Sequence, residues 1–261
     1  MAVRMRDVAE RAGVSPRTVS NVVNGYVHVS PGMRAKVQHA LDELGYEMNT
    51  AARSLKSGRT GMIALVVPHL HSSYFAELAD AVVRAAGRRK LTVLIEVTEG
   101  VRERELKVLA GGRTHLTDGA LMSPLALTAE SNLPVRPDFP LVLLGESRLG
   151  ALFDRVGIDN VSASKVAVEH LLDLGRRRIV ALGLNDDRPA SAPRHEGYLA
   201  ALRARKVAAL AGIRVDGWER QVGAQAGETL LLECPRGDGR PDAIFAFNDT
   251  LALGALRALL H

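Results

Sequence analysis

A short segment near the N-terminus carries polar side chains at a spacing that suits contact with DNA bases. Residues 16–23 have Val19, Val22 and Val23 at helical spacing, and these side chains would face inward. The opposite face would present Arg17, Thr18, Ser20, Asn21 and Asn24. A guanidinium can make two hydrogen bonds to guanine O6 and N7, and a side-chain amide can make two to adenine N6 and N7. This face therefore has the donors and acceptors needed to read base edges in a major groove.

Capping residues divide the first 45 residues into three short helices. Residues 5–12 have helical spacing and are followed by Gly13, which tolerates the positive φ of a helix end. Ser15 and Pro16 then supply an N-cap oxygen and a first helical residue that needs no N–H group. Ser30 and Pro31 repeat this signal before a third helix that ends at Gly45. A three-helix bundle without a ligand is the alternative, but the glycine turn between the first two helices favours a helix-turn-helix.

The excess of positive charge lies almost entirely in this segment. Residues 1–60 contain nine Lys and Arg against five Asp and Glu, out of a net charge of +5 for the whole chain. A basic surface attracts phosphate backbones through counterion release and does not itself read sequence. A solvated basic surface is the alternative, and charge alone does not decide between the two.

Several classes of protein are excluded by what the sequence lacks. The single cysteine, Cys234, rules out an intramolecular disulfide framework, and the chain has neither a secretory signal nor an apolar run long enough for a membrane span. We therefore expect a cytoplasmic protein. His69 and His71 have no third ligand motif, so no metal is predicted. Phosphate-binding glycine loops and a nucleophile elbow are also missing, so we expect no cofactor and no enzymatic activity.

The chain from residue 61 onward alternates buried strands with amphipathic helices. Strands are predicted at 62–67, 92–97, 119–122, 141–144, 179–182 and 243–246. Helices are predicted at 74–89, 102–110, 162–174, 194–205 and 250–260. The first helix should place Val83 inward, and Asp249 should cap the last helix. Two successive sets of this kind predict two parallel-sheet subdomains, with a ligand beyond the carboxyl ends of their strands.

Motifs along nearly the whole chain resemble the lactose-repressor/galactose-repressor family of transcription regulators. The N-terminal motifs are DVAERAGVS (7–15), TVS (18–20), VNG (23–25), VSP (29–31), LGY (44–46) and NTAARSL (49–55). Those of the second part are VVP (66–68), YF (74–75), DG (118–119), GIDN (157–160), HLLDLG (170–175), RHEGY (194–198), PDAIFAFND (241–249) and ALGA (252–255). The resemblance implies an all-α helix-turn-helix headpiece followed by an α/β periplasmic-binding-protein-like sensing domain.

The resemblance also implies a domain order. It places a DNA-binding headpiece at 1–47 and a hinge helix or linker at 48–59. The two subdomains of the effector-binding domain would then span 60–160 and 161–261. Relatives continue for several more elements, so the second subdomain is expected to be incomplete and the chain to be C-terminally truncated, with unpaired sheet edges as the consequence.

Residues at the family's DNA-contacting positions are expected to bind a pseudo-palindromic double-stranded operator. By position they are Ser15, Pro16, Arg17, Thr18, Ser20, Asn21, Asn24, His28, Ser30, Tyr46, Asn49, Ala52 and Leu55. Pro16 and Arg17 begin the recognition helix, and most of the others would contact phosphates or cap helices. Leu55 holds the place of a leucine wedge in the minor groove, with a plain flexible linker as the alternative. Asn21 stands where the family usually has arginine, so we expect an adenine preference at one position of each half-site.

The same resemblance implies an effector site between the two subdomains. The expected contacts are Tyr74, Phe75, Arg194, Trp218 and Asn248. Arg194 could clamp hydroxyls, carboxylates or phosphates with its guanidinium. Phe75 is as well explained by a place in the core, and Asp159 could line the cleft without touching the ligand. The effector is expected to be a sugar or a related metabolite, with a purine as the alternative.

Three functions remain to be distinguished. The first is a homodimeric regulator, most simply a repressor, whose operator affinity responds to the effector and whose last helix contributes exposed apolar positions to the dimer interface. The second is a binding module without a DNA function, such as a periplasmic sugar receptor. The third is an α/β enzyme. The intact headpiece favours the first.

Overall fold

The chain divides into two compact units, residues 1–60 and residues 61–261. The structure is a computed structural model that describes residues 3–46, 58–111, 116–127, 137–146, 149, 153–234, 237 and 239–260. Each unit has a hydrophobic core of its own. The predicted hinge residues Asn49, Ala52 and Leu55 lie outside the described residues.

Three helices form the headpiece, with the limits that the capping residues predict. They are α1 (Met5–Ala12), α2 (Pro16–Val23) and α3 (Pro31–Leu44). The Ser15 hydroxyl accepts a hydrogen bond from the Thr18 N–H, and Gly13 ends α1 at φ 60°. Val8, Val19 and Val37 bring one completely buried side chain from each helix into a common core.

Five parallel strands form the sheet of the first subdomain, in the order β2-β1-β3-β4-β5. The strands are β1 (Met62–Val67), β2 (Thr92–Val97), β3 (Ala120–Met122), β4 (Leu141–Leu144) and β5 (Asp154–Val156). Helices α4 (Ser73–Arg88) and α5 (Arg102–Leu109) cover its two faces, since α4 packs with Leu65 and Val67 while α5 packs with Ala64 and Val66. A strand buried on both faces is apolar throughout, as the sequence of β1 is.

The second subdomain is built in the same way around a three-stranded parallel sheet in the order β7-β6-β8. Its strands are β6 (Ile179–Leu184), β7 (Ile213–Arg214) and β8 (Ala243–Ala246). Helices α6 (Asn160–Asp173) and α7 (Ser191–Ala204) cover one face. Helices α8 (Arg220–Glu233) and α9 (Asp249–Leu259) cover the other. The fold is therefore the predicted helical headpiece with an α/β domain of parallel sheets.

The pair α8–α9 packs through glycines, which explains why the sequence did not predict α8. A Cβ atom on Gly223 would lie 2.3 Å from the Leu251 carbonyl oxygen, and one on Gly254 would lie 2.0 Å from the Arg220 carbonyl oxygen. Such contacts require the absence of a side chain. No helix was predicted in this segment, where the glycines allow two helices to approach closely.

Some predicted details are wrong. Val83 is 47% exposed and does not face the core, because α4 buries mainly Ala79 and Ala86. Asp249 is the first residue of α9 and not its cap, since the Asn248 side chain accepts the hydrogen bond from the Leu251 N–H. Helix α7 begins three residues before the predicted start, at Ser191, and the short strands β5 and β7 were not predicted.

Candidate DNA-binding and effector sites

The exposed face of α2 presents two polar side chains that no neighbour engages. Arg17 and Asn21 lie one helical turn apart, on the same face. Within the described part of the chain, neither the Arg17 guanidinium nor the Asn21 amide makes a hydrogen bond or an ion pair. Each group keeps its full set of donors or acceptors for a base edge.

The neighbours of these two side chains are used by the helix itself. The Ser15 hydroxyl caps α2 and lies 2.9 Å from the Thr18 hydroxyl. The Asn24 amide donates to the Ser20 carbonyl and hydroxyl oxygens at 2.7 and 3.2 Å, which satisfies acceptors at the end of α2. Pro16 occupies the first helical position. These residues fix the geometry of the helix, which suits a role in setting register.

The remaining predicted DNA contacts of the described headpiece lie beyond α2. Ser30 caps α3 by accepting a hydrogen bond from the Met33 N–H. The exposed ring of His28 stands edge-on to Tyr26, with 5.4 Å between the ring centres. Tyr46 is half-buried against the headpiece core. These positions differ from Arg17 and Asn21, because each already has a local packing or capping role.

In the second unit, Arg194 lies at the centre of a polar cluster. It comes from the first turns of α7, and its Nε donates to the Asn160 Oδ1 at 2.8 Å. Its Nη1 donates a hydrogen bond to the carbonyl oxygen of Phe247, the residue that directly follows β8. Burial lowers the pKa of Arg194, which still remains a cation at any physiological pH. No described residue accepts a hydrogen bond from Nη2, so that nitrogen is available to a ligand.

Trp218 and Asn248 form the surroundings of this guanidinium. The Arg194 Cζ lies 5.2 Å from the centre of the Trp218 rings, over their face, which is a cation–π arrangement. The Trp218 Nε1–H donates to the Gly183 carbonyl oxygen, and the Asn248 amide donates to the Trp218 carbonyl oxygen. Since the Asn248 Oδ1 also caps α9, its amide has one N–H group left for a ligand.

Tyr74 and Phe75 begin α4, beyond the carboxyl end of β1. Their rings meet edge to face with 5.0 Å between centres. Phe75 is half-buried and packs with the core that includes Leu65 and Val67, whereas Tyr74 is 53% exposed. Tyr74 lies near enough to Arg194 for its charge to affect the pKa of the guanidinium. Arg194, Trp218 and Asn248 thus contact one another, Tyr74 lies within electrostatic range of Arg194, and Phe75 belongs mainly to the core.

A buried glutamate fixes a loop at the same edge of the first sheet. The completely buried carboxylate of Glu105 accepts hydrogen bonds from the backbone N–H groups of Leu125, Ala126 and Leu127, at 2.7 to 3.3 Å. This loop follows β3 at its carboxyl end. Burial raises the pKa of Glu105, although its backbone hydrogen bonds act in the opposite direction.

Three further groups near the ends of these strands were given no role by the sequence, apart from the rejected metal site at His69. Arg188 forms an ion pair with Glu219 at 3.7 Å, and both follow elements of the second subdomain. Burial, together with the charges of His71 and Arg188, lowers the pKa of His69, which follows β1 in the first subdomain. No local signal in the sequence joins these residues, because their proximity arises only when the two subdomains fold together.

The described residues also bear on metal and membrane binding. Among them no group of three His, Cys, Asp or Glu side chains is placed to hold a metal ion. Asp159 caps α6 through the Ser162 N–H and hydroxyl and is exposed. None of the helices in this part of the chain is long and apolar enough to cross a membrane.

The first unit is a three-helix bundle with a polar, exposed helix face. The second consists of two α/β subdomains that gather aromatic and polar groups around an arginine. This combination is typical of DNA-binding regulators with a ligand-binding domain. Two family models match the chain. Residues 4–49 match the bacterial regulatory proteins of the lacI family, and residues 168–261 match the periplasmic binding protein-like domain.

Individual relatives agree with these matches. The chain is 31% identical to the HTH-type transcriptional repressor PurR of Vibrio atlanticus, over 98% of this chain and 76% of that protein. A putative LacI-family regulator from Sanguibacter keddieii is 44% identical, with a TM-score of 0.68 over 78% of this chain and 72% of that one. The Lac repressor dimer bound to operator and an anti-inducer gives a TM-score of 0.86 at 26% identity, over 100% of this chain and 78% of that one.

The chain belongs to the LacI family of bacterial transcription regulators. It combines the DNA-binding domain of these regulators with a periplasmic binding protein-like domain. The predicted family, fold class and general function are confirmed.

Proposed function

We propose that Arg17 and Asn21 read the operator sequence and that the other predicted headpiece residues fix its register. The observation that carries this proposal is the contrast within α2, where only these two polar side chains lack partners in the described headpiece. Arg17 pairs with a guanine and Asn21 with an adenine in each half-site. Ser15, Pro16, Thr18, Ser20, Asn24, His28, Ser30 and Tyr46 support the phosphate contacts. Asn49, Ala52 and Leu55 form the hinge that inserts into the minor groove, which stays a prediction.

The effector binds between the two subdomains, against Arg194. Its guanidinium offers Nη2, Asn248 offers one N–H group, and the rings of Tyr74 and Trp218 supply flat apolar surfaces. Phe75 supports the Tyr74 ring from the core side. A sugar presents hydroxyl groups to such donors and a C–H face to such rings, and a purine presents ring nitrogens and a planar face. We take a sugar as the first candidate.

The regulator works as a homodimer on a pseudo-palindromic operator. The Lac repressor structure with which the chain shares its fold is a dimer bound to operator, and two headpieces would read two half-sites. Exposed leucines on α9, such as Leu253 and Leu256, are available for the interface. A repressor of this kind acts where the chromosome is, in the cytoplasm, and it controls transcription without catalysing a reaction. The proposed domain limits are 1–47, 48–59, 60–160 and 161–261.

A selection on randomised half-sites tests the DNA proposal. The full chain is incubated with a duplex library at two stated salt concentrations, and the bound fraction is sequenced. We expect one guanine and one adenine in each half-site, and an affinity that falls as salt rises. Arg17→Ala should relax only the guanine position and Asn21→Ala only the adenine position. Asp80→Ala, an exposed change in α4, is the control. Indifference at both positions, with the headpiece folded, contradicts the proposal.

A ligand screen tests the effector proposal. Thermal stability of the full chain is measured with a panel of pentoses, hexoses, disaccharides and the purine bases adenine and guanine. A ligand that stabilises the protein and changes operator affinity is the expected result. Arg194→Lys keeps the charge but loses the planar fork, so it should weaken binding. A ligand that binds Arg194→Lys and the parent protein equally contradicts the placement of the site.

A further inference from the structure

The amide of Asn160 is held in a single orientation by two charged partners. Its Nδ2 donates to the Glu146 Oε1 at 2.9 Å, and its Oδ1 accepts from the Arg194 Nε at 2.8 Å. A carboxylate only accepts and a guanidinium only donates, so the amide cannot be reversed without losing both bonds. The side chain is also buried, with 6% of Asn160 exposed. Its two bonds are therefore shielded from competition with water.

The same contacts join the two subdomains. Glu146 follows β4 of the first sheet, and its second carboxylate oxygen accepts from the Arg155 Nη1 of β5 at 3.1 Å. Arg194 belongs to α7, on the second sheet, and Asn160 is the first residue of α6. A continuous chain of hydrogen bonds thus runs from Arg155 through Glu146 and Asn160 to Arg194 and the end of β8.

We propose that Asn160, itself held by Glu146, is the positioning residue that keeps the Arg194 guanidinium over the Trp218 rings and its free Nη2 directed to the effector. The inference rests on the proposed function in that it takes Arg194 as the effector contact. An arginine side chain loses much rotational freedom when it is ordered. Asn160 fixes it before the ligand arrives, which reduces the entropy that binding must offset.

Trp218 provides a direct probe of this arrangement, because it is the only tryptophan in the sequence. Its emission reports on the environment of one ring system, and Arg194 covers a face of that ring system. A guanidinium that leaves this face exposes the rings to water. The emission maximum should then move to longer wavelength, and quenching by acrylamide should increase.

The experiment compares the full-length parent chain with four variants, all without ligand. Asn160→Ala removes both bonds, and Glu146→Ala removes the support behind Asn160. Asn160→Asp keeps an acceptor for Arg194 and removes the donor to Glu146. Asp173→Asn is the control, because it breaks an exposed ion pair with Arg205 on the same subdomain, away from Arg194. Circular dichroism and thermal unfolding report whether each variant is folded.

We expect a red shift and stronger quenching in Asn160→Ala. Glu146→Ala and Asn160→Asp should show a smaller change, because both lose the bond between residues 146 and 160 but keep an acceptor for Arg194. Asp173→Asn should give parent-like values. Rescue by the aspartate is the signature of positioning, since a loss of packing alone would not distinguish the alanine from the aspartate in this way. Parent-like emission in Asn160→Ala overturns the proposal. Equal changes in the alanine and aspartate variants also overturn it. Should Asn160→Ala fail to fold, Glu146→Ala provides the test: a red shift supports the proposal, and parent-like emission overturns it.

A measurement of effector binding distinguishes failure of this inference from failure of the proposed function. A sugar or purine that binds the parent protein should bind Asn160→Ala about tenfold more weakly, as expected for the loss of a hydrogen bond to a charged group. If no ligand of the panel binds the parent protein, the effector proposal fails on its own account. The fluorescence of Trp218 still decides whether Asn160 positions Arg194.

Discussion

The headpiece and the α/β domain differ in how many partners they provide to the arginine of each candidate site. Arg17 stands on an exposed helix face without a partner in the described headpiece, whereas Arg194 has two hydrogen-bond partners and an aromatic ring against its face. In the proposed function, DNA would supply the missing partners of Arg17 at the moment of binding. The proposed effector would instead meet a group that the protein has already oriented. If both proposed sites are correct, specificity for DNA comes from side chains without partners in the described headpiece, and specificity for the effector comes from a network that is formed before binding.

The largest effect should come from removing the engaged arginine. Arg194→Ala leaves the Asn160 Oδ1 and the Phe247 carbonyl oxygen without their donors, in a region where both residues are buried. We expect a loss of about 3 kcal/mol in the free energy of unfolding. Urea unfolding of the second unit measures it, with Arg205→Ala, from an exposed ion pair, as the control. If Arg194→Ala unfolds at the same urea concentration as Arg205→Ala, the contrast between Arg194 and Arg17 does not hold.

The glycines of the two regions should respond with opposite sign. Gly254→Ala introduces a Cβ against the Arg220 carbonyl oxygen between α8 and α9, so we expect a destabilisation of about 2 kcal/mol. Gly32→Ala meets nothing within 4 Å in α3, and a loss of unfolded-state freedom should stabilise the headpiece by up to about 1 kcal/mol. Amide hydrogen exchange in α9 and α3 measures each change in its own unit. The same sign for both substitutions would contradict the packing described here.

Removing the unengaged arginine should change binding without changing stability. Arg17→Ala loses a bidentate base contact, which we expect to weaken operator binding by about 2 kcal/mol. The unfolding of the headpiece should stay as it was, because no described residue depends on Arg17. Fluorescence anisotropy with a labelled duplex measures the affinity. Ser15→Ala is the informative companion, since it removes the cap of α2 and should destabilise the helix by about 1 kcal/mol.

The smallest effect concerns pH. Burial raises the folded-state pKa of Glu105 above its unfolded value, so Glu105 binds a proton more tightly in the folded protein than in the unfolded chain. The associated stability is present below the unfolded pKa and is lost as the pH rises through the folded one. We expect the parent protein to lose stability over this interval, and Glu105→Gln, which does not titrate, to lose less. Thermal unfolding from pH 4 upward, in steps of about half a unit, measures it. If the stability of the parent protein and that of Glu105→Gln change with pH in parallel, Glu105 makes no net contribution to the pH dependence of stability.

Local signals in the sequence were sufficient for the helices of the headpiece. Ser15, Pro16, Gly13 and Gly45 act on neighbours within four residues, so the limits of α1, α2 and α3 could be predicted. The strands β1, β2, β4 and β8 were also found as apolar runs between turn residues. Strand β7, with only two residues, leaves no such signal.

Long-range packing explains what the sequence could not provide. Helix α8 was missed because its stability depends on the close fit of Gly223 and Gly227 against α9, and not on an apolar stripe of its own. The network around Arg194 was missed for a related reason, since Glu146 and Asn160 lie 48 and 34 residues away along the chain. The resemblance suggested Arg194 and Trp218 by position, but only the fold places one over the other.

The close contact between α8 and α9 has a consequence for motion. Helices that touch backbone to backbone cannot slide or tilt independently, so with β8 they should travel as one rigid body. Among the described residues, the chain passes from the first sheet to the second once, between β5 and α6. There Gly157 packs against the Gly145 carbonyl oxygen. The close approach of these two glycines, a few residues from Asn160, leaves no room for a side chain where this connection leaves the first sheet.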